Sequence, residues 1–172
     1  MKNIIEISTR RSSDGRYVFV DRMLISIEDL TFGEEGAVSV SGLMIGAIDD
    51  LLSNIEKQKI NIDFARKVFD RKLPAAHFFQ LLHDACWKEG GWPKDLRGSE
   101  IAPAAYIGLP VGTEIFDADE AYFVVLDLER AILFAKNKIE NEFVALKMDV
   151  RDYVKIWEQA RAEIVLEKSQ SG

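Results

Sequence analysis

Apolar positions in the first third of the chain recur every second residue. Residues 3–7 are a short isoleucine-rich run, and residues 17–27 alternate, with Tyr17, Phe19, Met23, Ile25 and Ile27 on one side and Asp21 interrupting. A period of two marks a strand with one face buried. Ser12-Ser13-Asp14-Gly15 and Gly33-Glu34-Glu35-Gly36 supply turn chemistry between such runs, and a third strand is expected over residues 37–45. Connections this short join neighbouring antiparallel strands, so this third of the chain reads as a β-meander.

The period then lengthens. Ile48, Leu51, Leu52 and Ile55 have the spacing of an amphipathic helix, with Asp49 and Asp50 suited to its first turn. Phe64, Ala65, Val68 and Phe69 mark a shorter helix. A third starts at Pro74, whose missing N–H costs nothing at a first helical position, and stops at Gly90-Gly91. Phe78, Leu81, Leu82, Ala85 and Cys86 share its apolar face; His77, Gln80, Asp84 and Lys88 lie opposite, with His83 and Trp87 on the shoulder. Residues 90–116 show no period and hold three of the four prolines and five of the eleven glycines. A stretch that long without an element is a functional loop or hides a strand, here near residues 104–109.

Residues 121–127 are nearly continuous, β-favouring and apolar, which predicts a buried strand. The alternative is a capping box, Asp117 with Glu120, opening a helix through Ala135. Residues 129–136 fit either state, and 142–148 read as a strand. Asp149 caps a C-terminal helix whose stripe is Val150, Tyr153, Val154, Trp157, Ala160 and Ile164. The expected architecture is one α+β domain over residues 1–168. An antiparallel meander packs with about four helices, further strands precede the last helix, and residues 169–172 fray.

An apolar fraction of 48% in 172 residues is enough for a core. No window approaches a membrane-spanning run, and Glu6 with Arg10-Arg11 interrupts the N-terminal apolar stretch too early for a secretory leader. A single cysteine makes no internal disulfide, so a reducing cytoplasm is expected.

Charge changes the picture more. The net value is −7, but residues 23–56 hold seven acids and residues 101–129 hold six, with no lysine or arginine in either tract. The remainder of the chain is net basic. If folding joins the tracts, one side of the protein repels nucleic acid and speeds encounter with a basic partner.

Catalytic patterns are weak beside this. His83 and Cys86 are three residues apart, but the last turn of a helix disfavours a thiolate, so a core thiol is the better account of Cys86. His77 and His83 are wrongly spaced to share one ion. Asp117-Ala118-Asp119 resembles a magnesium pair, yet neither an EF-hand spacing nor a phosphate loop surrounds it. No cofactor or metal is therefore expected.

The sequence points to a small acidic binding protein, monomeric or homodimeric. An immunity protein or antitoxin that neutralises a basic, nuclease-like toxin is one concrete form. Trp92, Glu114, Asp117, Asp119 and Glu120 are its expected contact residues, with Glu28, Asp29, Glu34 and Glu35 as a second patch. The alternative is a small enzyme using His83 with Asp84 or Cys86, or His77 with acids of the long loop.

Overall fold

The computed structural model describes residues 3–91, 93, 101–137 and 141–170. β1 (Asn3–Arg11) and β2 (Val18–Ile27) pair antiparallel; β3 (Leu30–Phe32) folds back on the end of β2, and β4 (Ser39–Val40) pairs with its beginning. Three helices follow, α1 (Ser41–Ile60), α2 (Ile62–Phe69) and α3 (Ala75–Trp87). A second antiparallel sheet, ordered β5 (Ala121–Val125), β6 (Arg130–Asn137) and β7 (Glu142–Asp149), leads into α4 (Val150–Gln170). The chain is an α+β protein with an N-terminal antiparallel meander, as its periodicity predicts.

The second sheet divides the core. Ala121, Phe123, Val125 and Leu133 face the meander, α1 and α4, where Tyr153 and Trp157 are fully buried. Tyr122, Val124, Ile132 and Phe134 face the other way, onto α2 and α3. A strand covered on both faces has no polar side to display, which explains the unbroken apolar run at residues 121–125. The same two-sided burial makes residues 131–135 unreadable by period, and they form β6 rather than a helix. The capping-box alternative is thereby excluded: Asp117 follows a 3-10 turn, Glu114–Phe116, and the chain enters β5 instead.

Two local expectations need correction. Between Ser8 and Thr9 the pairing slips from Arg22 to Val20, leaving Asp21 as an extra residue on β2. Such a bulge switches which parity faces inward. Val18 and Val20 are therefore buried before it and Met23, Ile25 and Ile27 after it, while Tyr17 is exposed. The expected strand over residues 37–45 pairs only at Ser39 and Val40. From Ser41 the buried positions are Met44, Ile48, Leu51, Ile55 and Gln58, a helical spacing that carries α1 back about two turns from Ile48, so Asp49 and Asp50 are not in its first turn.

The long loop is tied to the second sheet. A 3-10 turn, Pro103–Tyr106, leads to an isolated bridge between Ile107 and Tyr122. Gln58, buried in the last turn of α1, holds this region from inside. Its amide N–H group donates to the carbonyls of Ala105 (2.7 Å) and Phe123 (2.9 Å), and its oxygen accepts the Val125 N–H (2.9 Å). At the far end of the chain, the Asp149 carboxylate accepts the Arg151 N–H at 2.7 Å, capping α4. α4 extends to Gln170, into the stretch expected to fray.

Candidate functional site

The two base-free tracts meet at a hydrogen bond. Gly33 has φ +102°, and a Cβ there would lie 2.0 Å from the Met23 carbonyl oxygen, so glycine alone lets the chain leave β3 this way. The turn aims the Gly33 N–H at the loop before β5, where Asp119 Oδ2 accepts it at 2.6 Å. Asp119 is itself fixed by its own N–H, which donates to the Phe116 carbonyl at 2.9 Å. Glu34 and Glu35, next in the chain, therefore stand beside the loop that carries Glu114, Asp117, Asp119 and Glu120.

Ion pairing sorts the acids of the two tracts. Four of those away from this junction are matched by bases from elsewhere: Asp49 with Arg161 (2.6 Å), Glu56 with Lys59 (2.5 Å), Asp127 with Arg130 (2.5 Å) and Glu129 with Arg151 (3.7 Å), while exposed Asp50 makes no ion pair with a described lysine or arginine. Hydrogen bonding from Arg130 holds the Asp127 carboxyl down at about 2. Near the junction, Glu35 meets Arg22 at 3.5 Å, a guanidinium it shares with Glu6, and Glu120 lies 3.5 Å from His83. Glu28, Asp29, Glu34, Glu114 and Asp117 are exposed and make no ion pair with a described lysine or arginine. Negative charge survives where the tracts converge.

Glu28 and Asp29 occupy the two-residue turn between paired Ile27 and Leu30, at the opposite end of β3. Three strand residues place the two acidic turns roughly 10 Å apart. Glu28 holds φ 53°, a left-handed conformation that glycine or asparagine takes at less cost.

Trp92 lies outside the described residues. The aromatic displayed next to the acids is Trp87, on the shoulder of α3, 58% exposed, with its indole N–H donating to the Tyr122 hydroxyl at 3.2 Å. It stands between two concavities. One, of about 120 Å³, has Val111 on its wall and Asp117, Asp119 and Glu120 on its rim. The other, of about 320 Å³, shares Ile107, Leu109 and Val111 and carries Asp50 and Asn54. Spacing along the chain could not show this, because the groove is assembled from α1, α3 and the long loop.

No hydrogen bond or ion pair joins His83 to Asp84 or Cys86 among the described residues. Asp84 is engaged by Gln80 (2.6 Å) and Lys88 (2.8 Å). The Cys86 thiol donates to the Pro103 carbonyl at 3.3 Å, and burial pushes its pKa up to about 12, so it is not a thiolate near neutrality. His77 is exposed and meets no described carboxylate within ion-pair reach. The histidine partner that sequence reasoning missed is Glu120. His83 Nδ1 lies 3.5 Å from Glu120 Oε1 and 3.3 Å from the Tyr122 oxygen.

Among the described residues, no three His, Cys, Asp or Glu side chains are grouped to hold a metal ion. No described helix is long and apolar enough to cross a membrane. No family model, curated protein or solved structure matches this chain.

Proposed function

We propose that this protein binds a basic protein partner through the acidic surface at the Gly33–Asp119 junction. In its concrete form it is an immunity protein or antitoxin that occupies a nuclease-like toxin in the cytoplasm. The observation that carries this reading is the 2.6 Å bond joining the two base-free tracts, with exposed acids on both sides of it. A concentrated negative field raises the encounter rate with a positive surface, and desolvated charge pairs at the centre of the contact slow dissociation.

Affinity capture from the source cells, followed by mass spectrometry, tests the reading when run in parallel with the triple variant Glu34→Lys, Glu114→Lys, Asp117→Lys. These side chains make no ion pair with a described lysine or arginine, so the variant changes the field more than the fold. The native protein should retain a basic protein that the variant loses. An acidic partner, or equal capture by both, would count against the reading.

General acid–base chemistry at His83 is the second reading, favoured by two oxygens facing one ring nitrogen. The variant His83→Gln separates the two. Retained capture with loss of the biological effect would move the assignment to the enzyme.

A further inference from the structure

Of the surfaces on this molecule, the groove on either side of Trp87 combines exposed apolar side chains with one sign of charge. Trp87 and Val111 are 58% and 54% exposed, well above what a side chain in a core position shows. Ile107 and Leu109 form a floor common to both halves. Asp50 sits at one end, Asp117, Asp119 and Glu120 at the other, and neither half is lined by a described lysine or arginine. A neutral apolar segment would leave Asp50 and Asp117 to lose water without compensation, and an acidic one would be repelled. A segment with an apolar side chain between two cationic ones satisfies floor and ends together.

We propose that this groove anchors a basic partner segment, an apolar side chain seated on Leu109 and Val111 against the Trp87 ring. Flanking lysines or arginines reach Asp50 at one end and Asp117 with Glu120 at the other. The inference rests on the acidic-surface reading and deepens it by naming the anchor. Tryptophan is enriched among residues that dominate binding energy, and its indole ring packs against both an aliphatic side chain and a guanidinium. The Trp87 indole N–H is already taken by Tyr122, which holds the ring before any partner arrives. Less rotamer freedom then has to be lost on binding.

The test uses the full chain, nitrogen-15 labelled, titrated at low salt with a short lysine- and arginine-rich peptide carrying one central leucine. A second peptide has serine in place of that leucine. The leucine peptide should shift the Trp87 indole and the amides of Ile107, Leu109 and Val111. It should bind about tenfold tighter than the serine peptide, the difference one buried leucine makes. Val111→Lys, on an exposed turn, and Trp87→Ala should each weaken it by about tenfold or more. Equal affinity for the two peptides overturns the groove. Shifts confined to residues 28–35 overturn it as well, while leaving the acidic reading in place. No shift with either peptide overturns the groove; the acidic reading then falls separately if the triple lysine variant still captures the native partner.

Discussion

Asp119 accepts a hydrogen bond from the backbone N–H of Gly33, a residue 86 positions earlier in the chain. A carboxylate accepting a partly buried N–H makes a stronger bond than a neutral acceptor would. It also makes one of the direct ties between the meander and the second sheet. Asp119→Ala should lower unfolding free energy by about 2 kcal/mol in urea denaturation, the usual worth of a bond to a charged group. Asp119→Asn keeps an acceptor oxygen and should lose less. Equal stability of all three proteins would mean that the junction is not held by this bond.

Glu28 pays for its place in the turn with a left-handed backbone, φ 53°. Glu28→Gly relieves that conformation and should leave stability unchanged or raise it by up to about 1 kcal/mol. The same change removes an exposed carboxylate from the proposed contact patch, so association with the captured partner should slow. Thermal melting and binding kinetics on the one variant check both halves, and a destabilised Glu28→Gly protein would show the turn to be unstrained.

Gln58 satisfies three backbone groups inside the core. Gln58→Leu fills a similar volume but strands two carbonyls and an N–H, and should cost about 3 kcal/mol or more by chemical denaturation. A near-native midpoint would mean that the Ala105, Phe123 and Val125 groups find other partners.

Cys86 supplies a pH dependence. Burial raises its thiol pKa from 9.0 to about 12, so the folded state favours the neutral thiol. A raised pKa gives stability that is fully present below the unfolded value and is lost as pH climbs through the folded one. The stability difference between the native protein and Cys86→Ala should therefore be flat around neutrality and shrink as pH rises beyond about 9. A difference that stays constant into that range would place the thiol in water.

How much of this was legible follows from burial. The meander, α3 and α4 each expose one face, so their periods show in the sequence, down to Asp149 as the cap of α4. β5 and β6 are apolar on both faces, and only pairing of β6 with β5 and β7 decides that residues 130–137 are extended. The Asp21 bulge inverts a strand's parity through one unpaired residue, which alternation alone cannot signal. Glu120 beside His83 and Trp87 between the two concavities arise from contacts between elements far apart in sequence. The acids were visible as tracts; that Gly33 and Asp119 would join them was not.

The association rate with the captured partner, measured across ionic strength, tests the central claim most directly. For the native protein it should fall by tenfold or more between low and physiological salt, as electrostatic steering is screened over a Debye length of about 8 Å. For Glu34→Lys, Glu114→Lys, Asp117→Lys it should be slow and nearly flat. A native rate indifferent to salt, or a triple variant that binds as fast as the native protein, would contradict the account.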